Sequence, residues 1–138
     1  MICALVLFFA FWDLGAVKSE PDLDKRSELA LTNVDHEIDE ARKAYNAGDQ
    51  KAQDAALEEI DASVAICYDS LQHSHEAPRK SKYYKRAEQR LQGLIRRMSA
   101  FRDDVGFESR QSVERVINKM SEIHDQLITD IMSKKRPD

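Results

Sequence analysis

HSHE places His73, His75 and Glu76 within four consecutive residues. Imidazole nitrogens and a carboxylate are suitable ligands for zinc, copper or nickel. The group stands at a break between two helical patterns, and residues two apart do not share a helix face. A metal held there needs a loop geometry and further ligands from elsewhere. His73, His75 and Glu76 are therefore weak metal candidates, and their plainer reading is a polar surface loop. No cofactor is expected. A di-metal carboxylate site inside a helical bundle needs Glu three residues before His, so that both ligands project inward from one helix. Asn33, Ser70, Gln72 and Ser121 occupy that place before His36, His73, His75 and His124. The ferritin-like chemistry is excluded on that ground. His124 stands between the apolar positions Met120 and Leu127, which suits a bundle-edge histidine with a hydrogen-bond partner.

Covalent catalysis finds little support. Cys67 lies on the apolar side of its segment and reads as a small buried hydrophobe. The serines are scattered, and no glycine-rich nucleophile turn accompanies them. The expectation is a protein without catalytic residues.

Charge is spread unevenly. Asp54, Glu58, Glu59, Asp61 and Asp69 make the second of four helical patterns acidic, with Lys51 against them. The third carries Arg79, Lys80, Lys82, Lys85, Arg86, Arg90, Arg96, Arg97 and Arg102 against Glu88. Lys82, Lys85, Arg86 and Arg97 are candidates for contact with an anionic surface, such as lipid headgroups. The competing reading is a solvated face that also pairs with the acidic second pattern. The net charge of −4 gives no global attraction to nucleic acid, and none is expected as a partner.

The chain's beginning bears on compartment. Ile2 to Trp12 is an unbroken apolar run, and Asp13, Leu14, Gly15, Ala16 and Val17 follow. A secretory apolar region is about 7–15 residues long, whereas a membrane span needs about 20. The run fits a signal over 1–16, with Ala16 as the small residue before the cut and 17–138 as the mature domain. No Lys or Arg precedes the run, and Leu14 is large for its place before the cut. A short core helix and a retained anchor are the alternatives. Cys3 precedes the run, so it is not the acylated cysteine that follows a lipoprotein signal. The expectation is export, periplasmic or secreted, with no transmembrane span in the mature chain. Cys67 is then the only cysteine kept, so the fold must rest on packing.

Four segments must position these residues. Charged residues are 33% of the chain, with 4 Gly and 3 Pro, a profile that suits long amphipathic helices. The first pattern runs from about Asp22 to Asn46, with Leu31, Val34, Ile38, Ala41 and Tyr45 on one face. Lys25-Arg26, a dibasic pair, falls inside it and reads as surface charge. NAGD ends it, with Gly48 for a left-handed residue and Asp49 as the next N-cap. The second runs to about Gln72 with Ala52, Ala56, Ile60, Ser63, Val64, Cys67 and Leu71 inward. The third runs from Pro78 to about Asp103 with Tyr84, Ala87, Leu91, Leu94, Ile95, Met98 and Phe101 inward. Gly106 is its terminator. The fourth runs from about Ser109 to Lys134 with Val113, Val116, Ile117, Met120, Ile123, Leu127 and Ile131 inward, a heptad-like, coiled-coil type of stripe. Lys134, Lys135 and Arg136 suit its C-terminus.

AYNAGDQKAQDAAL resembles the turn of a tetratricopeptide unit, with Tyr45, Gly48, Asp49 and Ala52 near matching positions. The resemblance covers one turn, and no second copy follows at the repeat period. It is read as a way to join two helices.

Matched lengths and short breaks predict an all-α, antiparallel four-helix bundle of up-down-up-down order behind a short signal-like segment. Two helical hairpins that pair only in a dimer are the alternative. The function expected is an exported, non-catalytic interaction or scaffolding module, whose partner is another protein or a second copy. The alternatives are a small-ligand or metal binder at HSHE and an anionic-surface binder through the basic third pattern.

Overall fold

A computed structural model describes residues 14–133. The run Ile2–Trp12 and the cations Lys134, Lys135 and Arg136 lie outside the described residues. The described chain is all-helical: α1 Leu14–Lys18, α2 Leu23–Asn46, α3 Gln50–Gln72, α4 Lys82–Asp104 and α5 Phe107–Met132. The last four have 23–26 residues, about 35–39 Å at about 1.5 Å per residue.

Local chemistry sets the ends. Asp22 caps α2 by accepting from the backbone N–H groups of Asp24 and Lys25. Gly48 takes φ 70°, the left-handed turn expected after α2, and Asp49 caps α3 through the N–H of Ala52 at 3.1 Å. Pro78 does not open α4: it lies in a turn over 78–80, and Ser81 caps α4 by accepting from the Tyr84 N–H at 3.2 Å. A serine oxygen can satisfy an orphan N–H, which proline cannot. Gly106 is extended rather than left-handed and serves as the N-cap of α5, which starts at Phe107.

Ion pairs and hydrogen bonds between helices report their arrangement. Ser74 near the end of α3 reaches Asp24 near the start of α2, while Asn33 reaches Ser63, so α2 and α3 are antiparallel. Glu28 pairs with Arg86, Asp35 and Asp39 with Arg97, and Arg42 with Asp104, so α4 runs parallel to α2. Tyr68 of α3 bonds Asp130 of α5, and Glu88 of α4 bonds His124 of α5. Directions alternate up-down-up-down, as expected. Yet the order around the bundle is α2, α3, α5, α4, and the 73–81 link crosses between diagonal corners. Two antiparallel hairpins thus lie side by side within one chain.

One core joins all five helices. The apolar stripes fall inward as expected, except at Ala52, which is exposed; Gln53 and Leu57 are buried in that turn instead. Tyr45, Ile95, Ile123 and Ile131 lie at the core's margin. The boundary expected at Val17 falls inside α1, where Val17 is buried against the core and the Leu14 N–H donates to Glu59 at 3.1 Å.

Candidate functional site

HSHE forms the start of the 73–81 link. His73 follows α3, with its Nδ1 2.8 Å from the Asp69 carbonyl and 3.5 Å from the Asp69 carboxylate. His75 and Glu76 are exposed. Among the described residues, no group of three His, Cys, Asp or Glu side chains converges so as to hold a metal ion. Zinc titrated into the purified chain is expected to give only weak binding, because the ligands do not share a rigid element. A submicromolar one-to-one isotherm lost in His73→Ala and His75→Ala would instead establish a metal centre.

The four cations singled out on α4 divide into two roles. Arg86 pairs with Glu28 at 3.1 Å, and Arg97 pairs with both Asp35 and Asp39. Lys82 and Arg86 flank the ring of Tyr83, with centroid distances of 5.3 and 5.6 Å, which favours the cations over the ring face. Lys85 is exposed. The acids that meet this helix belong to α2 and not to the acidic α3, which corrects the pairing expected from charge alone. Helix order decides this, because α3 occupies the far corner.

Cys67 is fully buried, and burial pushes its thiol up to about 12. It stays protonated and unreactive at neutral pH. His124 finds its partner: Nε2 lies 3.0 Å from Glu88 Oε1, joining α4 to α5.

Periodicity did not mark two polar clusters inside the bundle. In the first, Tyr68 donates to Asp130 at 2.8 Å, and Gln126 donates to the same carboxylate at 3.1 Å. Burial, then Asp130, pushes the phenols of Tyr68 and Tyr84 well above their ordinary values, so both remain neutral. The neutral Tyr68 phenol acts as the hydrogen-bond donor to this carboxylate, and the contact ties α3 to α5. The second lies between α2 and α3. Asn33 donates to Ser63 at 2.9 Å and to Glu59 at 3.4 Å. Glu37 stands nearby, 8% exposed, beside an open cleft of about 630 Å³ walled by alanines and by Glu40, Glu59 and His36. Burial first, then the charges of Glu59 and Glu40, raise Glu37 to about 7. The signal for both clusters was the polar residue inside an apolar stripe, such as Asn33 beside Val34.

No family model, curated protein or solved structure matches this chain. Its site residues rest on its own geometry.

Among the described residues, three large apolar side chains face water. Phe107 is 88% exposed at the start of α5, and Met132 is 76% exposed near its end, one turn after Ile128. Phe107 stands at the rim of a recess of about 400 Å³ with Tyr45 and Gln53 in its wall. The Tyr45 hydroxyl accepts from the Gly106 N–H at 2.9 Å and holds that corner together. No helix of the described residues is long and apolar enough to cross a membrane.

Proposed function

We propose that this chain is an exported, non-catalytic interaction module that works through the outer faces of a rigid helical bundle. Phe107 carries the reading: a phenyl ring left in water at the rim of a recess gains by being covered. Polar contacts between helices support it, since Tyr68 with Asp130, His124 with Glu88, and at the surface Arg97 with Asp35 and Asp39 act as clasps. The apolar run Ile2–Trp12, of signal length, supports export.

One experiment tests both parts. The full chain is expressed in a secretion-competent host with a photo-crosslinking residue at position 107. The exported fraction should begin near Val17 and form a discrete adduct on illumination. Intact Met1 on a chain that stays inside the cell would refute export. A single uncrosslinked band would refute a covered Phe107.

The cations of α4 favour a second reading, an anionic-surface binder. Replacing Lys82, Lys85, Arg86 and Arg97 with Gln separates the two. Each basic residue near an anionic membrane contributes about 1 kcal/mol. Arg86 and Arg97 are already clasped by α2, so the wild-type chain is expected to ignore anionic vesicles at physiological salt, where screening acts over about 8 Å. Salt-sensitive binding abolished by the four substitutions would establish the second reading.

A further inference from the structure

The order α2, α3, α5, α4 puts α3 and α4 at opposite corners of the bundle, so their outward rows of side chains face away from each other. On α3 the row is Lys51, Ala55, Glu58, Ala62, Ala65 and Asp69, at steps of three and four residues. On α4 it is Lys85, Gln89, Gly93, Arg96, Ala100 and Asp103, at the same kind of step. Such steps keep each set on one side of its helix. Every residue in both rows is exposed or half-exposed.

Taken in opposite directions, the two rows are complementary. Lys51 falls opposite Asp103, Glu58 opposite Arg96, and Asp69 opposite Lys85. Between these, Ala55 meets Ala100 and Ala62 meets Gly93. Taken in the same direction they clash, with Lys51 against Lys85 and Asp69 against Asp103. The antiparallel sense is therefore selected by charge.

We propose that the chain assembles head to tail, the outward row of α3 in one copy docking antiparallel on the outward row of α4 in the next. This rests on the reading that the protein works through its helix faces, and it names a second copy as the partner.

Three features of the fold fit. Within one molecule α3 already runs antiparallel to α4, because α3 opposes α2 and α4 follows it. A copy displaced by translation alone thus presents its row in the selected sense. The levels agree as well. Ser74 bonds Asp24 near the place where Glu28 pairs with Arg86, and Glu59 reaches Asn33 close to the place where Asp35 pairs with Arg97. Glu58 and Arg96 therefore stand at similar heights, as do Asp69 and Lys85. The third feature is Gly93. Glycine is unfavourable inside a helix, and a Cβ added there would meet nothing within 4 Å. The chain's own packing does not require it, whereas a helix laid across α4 gains closer approach from it.

Neighbouring charges sharpen the contrast. Glu40 and Glu59 line the groove on the α2 side of the α3 row. On the α5 side Asp54, Glu58, Asp61 and Glu122 share a groove with Arg115 and Lys119, so acids outnumber cations on both flanks. Asp69 lies 3.5 Å from His73, and Asp103 lies 3.4 Å from Arg102, both in exposed contacts that a stronger partner can replace. The contact is small. Rows about 27 Å long and about 10–12 Å wide bury roughly 300 Å² per copy, against about 800 Å² in a standard interface. It is therefore weak, reversible and electrostatic. Because a translation does not close, assembly continues past the dimer.

Sedimentation of the full chain tests this at about 0.01 M and about 1 M salt, where screening acts over about 30 Å and about 3 Å. At low salt the average mass should climb with concentration beyond twice the chain's 15.8 kDa. At high salt it should return to the monomer. The double substitutions Lys85→Glu with Arg96→Glu, and Glu58→Lys with Asp69→Lys, should each abolish the climb. Mixing the two variants should restore it, since each then offers what the other lacks. Gly93→Leu should weaken association at low salt while leaving the fold intact. A monomer under all conditions, a mass that levels off at the dimer, or a mixture that stays monomeric would overturn the proposal. Association indifferent to salt and to both variants would overturn it too, and would point to the apolar run Ile2–Trp12. Crosslinking at 107 reads a different corner, so failure here leaves the interaction reading to its own test.

Discussion

Leu127→Ala is expected to cost about 2–5 kcal/mol of folding stability, from lost transfer energy plus the cavity left behind. Leu127 is fully buried near the end of α5, in the core shared with the other helices. For a chain of this size such a loss lowers the melting temperature by on the order of 10–20 °C. Glu108→Ala is the matched control, because Glu108 is exposed in the first turn of α5. Surface changes of that kind stay within about 0.5 kcal/mol. Thermal or urea unfolding of the two variants beside wild type measures the difference. Equal midpoints for all three would show that α5 does not pack through this stripe.

Glu37→Gln is expected to act in the opposite direction and only above acid pH. Glu37 is raised from an ordinary carboxyl value to about 7, by burial first and then by Glu59 and Glu40. The folded state therefore holds this proton more tightly than the unfolded state. Its contribution to stability is fully present below the unfolded value, is lost as pH rises through about 7, and stays lost above that. A tenfold difference in proton affinity between the two states corresponds to about 1.4 kcal/mol, so ionised Glu37 costs roughly 1–3 kcal/mol at pH 8. An amide has the carboxyl group's shape without its charge. Glu37→Gln should recover most of that loss at pH 8 and change little at pH 4. Urea midpoints measured across that range provide the check. A variant whose midpoint runs parallel to wild type at every pH would show that Glu37 is not the group responsible.

The two results bear on different kinds of residue. Leu127 belongs to a repeat of apolar positions whose helical period by itself places it inside. Glu37 stands in the apolar stripe between Val34 and Ile38, a hint of enclosure, but that position alone does not show how deeply it is buried. Its burial comes from α3, whose Ala56 and neighbouring alanines let that helix approach closely. Ala52 shows the same limit from the other side. It lies at the edge of an apolar arc, and the core took Gln53 and Leu57 instead. An alanine contributes little apolar surface, so a modest rotation of α3 favours the larger leucine.

What the amino-acid order determined by itself is local. The spacing of apolar residues specified four helices and their inward faces, because burial of a stripe at helical period outweighs most other terms. Asp22, Gly48 and Asp49 specified where helices begin and end, because capping is a contact between near neighbours in the chain, whereas the start of α4 moved from Pro78 to the cap at Ser81. Cys67 and His124 were legible for the same reason: both lie on or beside a stripe. Tertiary structure alone decided which helix stands next to which. Four similar amphipathic rods can close in several orders, and periodicity assigns no partner to a face. The order realised here turned the cations of α4 toward Glu28, Asp35 and Asp39 rather than toward α3. It also placed Asp130 against Tyr68 and set the α3 and α4 rows on opposite corners. Those outcomes depend on the summed packing of residues far apart in the chain, a quantity that no short window of sequence contains.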